Sequence, residues 1–131
     1  MYTYKVLLIE DNPFFLQLWN LILSQSVHSH KLDWAVSEKA AAKLINEHYY
    51  DIVISDIFLS GSKTGVDIWR TINPEACTFI FASSIEKNSF EEFVTEEEER
   101  PYLFLEKPLD VDKCINCISE ITLAGPGLKY A

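Results

Sequence analysis

The chain is short of basic residues: 11 Lys and Arg stand against 20 Asp and Glu in 131 residues, a formal net charge of −9. Phosphate contacts depend on Lys and Arg, so direct nucleic-acid binding by the domain is not expected. Cysteine is scarce and odd in number (Cys77, Cys114 and Cys117), which builds no disulfide framework. No window approaches the roughly 18 to 20 uninterrupted apolar residues of a membrane span. The opening MYTYKVLLIE is too short and too quickly acidic for a secretory signal. Together these absences point to a soluble, cytoplasmic protein with no membrane partner. There are only 4 glycines, and none follows LLIE to cradle a phosphate. Carboxylates at that point would repel a flavin phosphate, which disfavours a flavin-binding redox protein.

What is present is an ordinary globular composition, 48% apolar and 24% charged, with enough length for one domain. Glu91, Glu92 and the run Glu96 to Glu99 carry much of the acid excess and read as a solvated face or loop. Cys114-Ile-Asn-Cys117 has the spacing of a redox pair. A reactive pair sits at a helix start, whereas Val111, Cys114, Ile115, Ile118 and Ile121 form one stripe well inside a helix. The pair therefore reads as core.

Apolar runs alternate with helical patterns along the whole chain. Strands are expected at Tyr4 to Ile9, Lys31 to Val36, Ile52 to Ser55, Thr78 to Ala82 and Tyr102 to Leu105. Pro13 suits the first turn of a helix from Phe14 to about Ser24, with Phe15, Leu18, Trp19 and Ile22 on one stripe and Leu16 and Leu21 largely outside it. Ser37 caps a second helix through about His48. Further helices are expected from about Gly65 to Thr71 and roughly Ser89 to Thr95. A last one, capped by Asp110, fades near Leu123. Five mostly apolar strands alternating with five helices describe an α/β, doubly wound parallel sheet covered on both faces. One domain over residues 1–124 and a short tail over 125–131, with no effector domain, is the expected organisation.

In such sheets ligands gather at the carboxyl ends of the strands. The residues there are Glu10 and Asp11, then Asp56, then Ser83 and Ser84, then Lys107. Three acids converging on one site suit a hard divalent cation such as Mg²⁺, with Mn²⁺ as an alternative. Asp56 stands alone at its strand end and is the natural nucleophile. A carboxylate attacking phosphorus gives an aspartyl phosphate. Lys107 supplies a compact charge for one phosphate oxygen, and the Ser83 hydroxyl can donate to another.

These residues resemble the receiver domain of bacterial two-component response regulators, over about residues 4 to 123. LLIEDNPFF is similar to the family's first strand and acidic pair, and YYDIVISDIFL (49–59) to its phosphoacceptor strand. FIFASS (79–84) and YLFLEKPL (102–109) resemble its fourth and fifth strands. The resemblance implies a flavodoxin-like (βα)₅ switch with strand order 2-1-3-4-5. Glu10, Asp11, Asp56 and the Phe58 backbone carbonyl would bind Mg²⁺. Asp56 would take a phosphoryl group from a histidine kinase or phosphotransfer protein. Ser83 and Lys107 would engage its oxygens, Phe104 would be the switch aromatic, and the Lys107–Pro108 bond would be cis. Such a protein catalyses only its own phosphorylation and dephosphorylation, so it is not an enzyme in the usual sense. The fourth helix, fifth strand and fifth helix would form the output face, for a downstream protein or a homodimer.

The departures from the family matter. Ser60 stands where Pro is usual, and the loop to Gly65 is one residue longer. Ser84 replaces a small residue and offers a second hydroxyl beside Ser83. Phe58 and Ile85 are apolar where the family admits hydrolytic water, which would slow loss of phosphate. The acidic segment between Glu86 and Arg100 would favour a basic partner. A pseudo-receiver, binding proteins without phosphorylation, is the competing expectation.

Overall fold

The structure is a computed structural model and describes residues 2–59, 64–92 and 100–125. Strands β1 (Tyr4–Ile9), β2 (His30–Ala35), β3 (Ile52–Ser55), β4 (Thr78–Ser83) and β5 (Leu103–Glu106) alternate with five helices. These are α1 (Pro13–Ser26), α2 (Glu38–Glu47), α3 (Gly65–Trp69), α4 (Lys87–Glu91) and α5 (Val111–Ala124). All strand pairings are parallel and their order is β2-β1-β3-β4-β5. The expected flavodoxin-like sheet is the one observed.

Alternate side chains of a strand face opposite sides of a sheet, and both sides here are apolar. Val6, Leu8, Ile52, Ile54, Ile80 and Ala82 pack with Trp19, Ile22 and Leu23 of α1 and Cys114, Ile118 and Ile121 of α5. Leu7, Ile9, Val53, Phe79 and Phe81 pack instead with Ala41 of α2, Val66, Ile68 and Trp69 of α3 and Phe90 of α4. Cys114 is buried as the stripe predicted, and burial pushes its thiol up to about 12. Burial raises Cys117 to about 11 and Cys77 to about 12, so all three thiols stay protonated at neutral pH.

At the amino ends of the strands, Asp51 is buried and accepts from the Lys5 amide at 2.8 Å and from the Tyr2 and Tyr49 hydroxyls. Burial and this carboxylate push both tyrosines up to about 12. The pairs satisfy a buried carboxylate far from the functional end of the sheet.

Several boundaries differ from expectation for local reasons. Helix α1 runs on to Ser26, and the Ser24 and Ser26 hydroxyls, rather than capping its end, donate back to the Asn20 and Ile22 carbonyls. Leu16, expected outside the packed stripe, is half-buried against the α1–α5 side, whereas Leu21 is exposed as read. Helix α4 begins at Lys87, two residues early, because the Glu106 carboxylate of β5 accepts from the Lys87 amide at 3.2 Å. Strand β5 is shifted by one residue, its pairing being extended by the Lys107 amide donating to the Ser83 carbonyl at 2.8 Å. Asn12, Ser37 and Asp110 cap their helices through their side chains. The Ser60–Lys63 part of the long loop, the end of the expected fourth helix at Thr95 and the run Glu96 to Glu99 lie outside the described residues.

Candidate functional site

Strand order reverses between β1 and β3, since β1 leads outward to β2 on one side and β3 leads to β4 on the other. Register pairs Ile9 with Ser55, so the next residues, Glu10 and Asp56, leave the sheet side by side. Register also pairs Ser83 with Glu106, which puts Lys107 just past the edge of the same end. The cis Lys107–Pro108 bond is as expected.

These placements bring a lysine between two acids. The Lys107 ammonium donates to Glu10 Oε1 in a short contact and to Asp56 Oδ2 at 3.2 Å. Only 9% of the Lys107 side chain and 4% of that of Glu10 are exposed, against 16% for Asp56. Asp56 is thus the acid of the pair that solvent and a ligand reach. Its Oδ1 accepts from the Ile57 amide at 2.7 Å, which fixes the carboxylate's orientation. Burial pushes the Glu10 carboxyl above the ordinary range. The Lys107 ammonium and the Asn12 amide oppose this, and neighbouring Asp11 adds to it.

Asp11 itself is exposed, and Ser83 is buried while Ser84 is exposed. The Ser83 hydroxyl oxygen accepts weakly from the Ile85 amide at 3.5 Å. Phe104 is half-buried with its ring 5.0 Å from that of Phe90, and Phe58 is 51% exposed.

Two supporting residues were invisible to sequence reasoning. Trp34, at the end of β2, donates its indole N–H to the Glu10 carbonyl at 2.6 Å. Phe15 of α1 lies with its ring centroid 4.0 Å from the Lys107 ammonium. Its place on the apolar stripe of α1 reads simply as core.

Does the donor set fit a divalent cation? Glu10, Asp11 and Asp56 offer oxygen ligands only, the chemistry a hard cation selects. Among the described residues, one ammonium, that of Lys107, is bonded to these carboxylates, at Glu10 and Asp56, so a divalent charge matches the formal excess. The fit is one of charge and donor type. Among the described residues, no three or more His, Cys, Asp or Glu side chains are grouped closely enough to form a preassembled cage.

The family model described as response regulator receiver domain matches residues 6–119. The chain belongs to this family. Receiver domains are generally signalling switches, and they typically bind Mg²⁺ at an acidic pocket. Solved receiver structures share the fold across low identity. The signal receiver domain of an HD domain-containing protein from Pseudomonas fluorescens Pf-5 is 20% identical with a TM-score of 0.76, covering 93% of this chain and 96% of that one. A CheY-like response regulator receiver domain from Methylobacillus flagellatus is 19% identical with a TM-score of 0.71, over 92% and 99% of the two chains. The phosphorylated cyanobacterial phytochrome response regulator RcpA is 19% identical with a TM-score of 0.68, over 94% of each chain. No curated protein sequence matches this receiver domain. Among the described residues no helix is long and apolar enough to cross a membrane.

Proposed function

We propose that this receiver domain is a phosphorylatable switch whose Asp56 accepts a phosphoryl group from a histidine kinase or phosphotransfer protein. The observation that carries the reading is the Lys107 ammonium 3.2 Å from Asp56 Oδ2, at the accessible end of a parallel sheet. An Asp56 carboxylate oxygen attacks phosphorus, the bond from phosphorus to the donor's nitrogen or oxygen breaks, and the donor leaves with that electron pair. Lys107 neutralises charge on the transferring group, which is most of what phosphoryl transfer asks of a protein. Glu10, Asp11 and Asp56, with the Phe58 backbone carbonyl, would hold Mg²⁺ or Mn²⁺. When bound, the cation supplies further charge compensation at the phosphoryl oxygens.

The Ser83 hydroxyl is our choice of switch group over Ser84, because it is the buried one of the two. Phosphorylation adds about −1.5 to −2 charge, and a Ser83 that turns to bond it would free space for Phe104. Phe104 also lines a groove of about 610 Å³ with Lys87, Leu109 and Lys113. A rearrangement there would alter what α4, β5 and α5 present to a downstream protein or a second copy. The free cysteines accord with a reducing cytoplasm.

The test is an intact mass after incubation with Mg²⁺ and acetyl phosphate. One phosphoryl group is expected on the native protein and none on Asp56→Asn. Native protein that stays unmodified and also ignores beryllofluoride would mean a pseudo-receiver instead.

Phe58 and Ile85 extend this reading. Phe58 is 51% exposed and Ile85 is half-buried against the α2–α4 side. Both put apolar surface two residues beyond the phosphorylation and switch positions, where it would exclude an attacking water. Changing both to small polar residues is expected to shorten the phosphorylated half-life by about tenfold. A half-life that barely moves would refute the screening role.

A further inference from the structure

Phe15 has no part in the chemistry outlined above, yet its ring is the third neighbour of the ammonium that does. Lys107 Nζ meets Glu10 Oε1, Asp56 Oδ2 and, at 4.0 Å, the centroid of the Phe15 ring. The face of an aromatic ring carries partial negative charge and attracts a cation, the more so where water is scarce. Water is scarce here, since only 9% of the lysine side chain is exposed. The ring is itself held: Phe14 packs edge-on at 5.2 Å, and Phe15 is half-buried on the α1–α5 side of the sheet. Its helix is pinned at this end by the Asn12 cap and by Pro13.

We propose that Phe15 is a positioning residue for phosphoryl transfer, holding the Lys107 ammonium against the phosphoacceptor. The inference rests on Asp56 being that acceptor. A lysine side chain has four rotatable bonds, and two acids bid for this one. With Glu10 fully able to take the ammonium for itself, a third contact is needed to keep it at Asp56 as well. An apolar ring does this without offering a competing hydrogen bond, so the ammonium remains free to move onto a phosphoryl oxygen as the bond to phosphorus forms. An aliphatic residue at the same place would fill the space and leave the charge unattracted.

The experiment compares Phe15→Leu with Phe15→Tyr. Leucine keeps an apolar side chain on α1; tyrosine keeps the ring face. The rate of phosphorylation by acetyl phosphate, at saturating Mg²⁺ and followed by intact mass, is expected to fall about three- to thirtyfold in Phe15→Leu and to stay near native in Phe15→Tyr. On a Lys107→Ala background, Phe15→Leu is expected to add nothing, because the charge it acts on is gone. Purely structural packing would instead slow both backgrounds alike. The Lys107 ε-methylene protons, read by NMR in the unphosphorylated protein, are expected to lose an upfield ring-current shift in Phe15→Leu. A native rate in Phe15→Leu, or an equal loss on both backgrounds, overturns the positioning role and leaves the Asp56 reading standing. A native protein that takes up no phosphoryl group overturns both.

Discussion

Lys107→Met is expected to destabilise the protein by about 3–5 kcal/mol at neutral pH, and by less as the solution is acidified. The lysine is the sole ammonium found against Glu10 among the described residues, and 96% of the Glu10 side chain is shielded if 4% is exposed. In buffer free of divalent cations, removing the lysine leaves a buried carboxylate facing Asp56 and Asp11 with no compensating charge. Such a loss is a large part of the roughly 5–15 kcal/mol that holds a domain together. The pH dependence follows from the direction of the Glu10 shift. Burial already raises its carboxyl above 4.5 in the folded protein, with Lys107 the largest influence holding it down. A group raised on folding binds its proton more tightly in the folded state. Its favourable contribution is therefore complete below its unfolded value and is lost as pH rises through the folded one. Without Lys107 the folded value climbs further, so the penalty grows between the ordinary glutamate range and neutrality. Urea unfolding at pH 5 and pH 7 reads this directly. Adding Glu10→Gln to Lys107→Met is expected to recover most of the loss at pH 7. An equal deficit at both pH values, or no recovery, would show that the lysine acts through packing of its stem.

Gly65→Ala is expected to cost at least about 3 kcal/mol, the upper end for forcing extra atoms into a packed site. A Cβ on Gly65 would stand 2.1 Å from the Asp56 carbonyl oxygen and 2.7 Å from Ser55 Oγ. The nearer atom is backbone at the end of the central strand and cannot swing aside. The Gly65 amide meanwhile donates to the Ile57 carbonyl at 2.7 Å, which clamps the start of α3 against the segment that carries Asp56. The glycine is required for close approach rather than for an unusual backbone angle. Relief of the clash must displace either α3 or Asp56. Folded Gly65→Ala protein is thus expected to accept phosphate more slowly as well. A urea midpoint equivalent to within about 0.5 kcal/mol of native, the range of ordinary surface changes, would show that the contact yields easily.

The acids and the lysine were legible before any coordinates because each closes a strand whose apolar run announces it. Asp56 follows Ile-Val-Ile-Ser, and Glu10 and Asp11 follow Leu-Leu-Ile. Their roles were less legible. Asp56 stands apart as the nucleophile, but Glu10 and Asp11 are not told apart along the chain, whereas folding buries Glu10, leaves Asp11 exposed and gives Asp56 the intermediate place. The family resemblance favours Ser83 over the adjacent Ser84, and burial of Ser83 beside an exposed Ser84 separates the two chemically identical hydroxyls further. Phe15 occupied an apolar helix position that would look the same whether its ring faced a leucine or an ammonium.

Local periodicity and end signals thus determined the alternation of strands and helices, the caps at Ser37 and Asp110, and the set of residues at the strand tips. Those features depend on neighbours a few positions apart, which a linear reading contains. Which partner each tip residue finds was decided by strand order and register. Glu10 is neutralised by a lysine 97 positions away, α4 starts where Glu106 reaches it, and Phe15 covers a charge from the far end of the chain. Such contacts exist only once five strands have docked in one order, because nothing along the chain itself brings their ends within a few ångströms of one another.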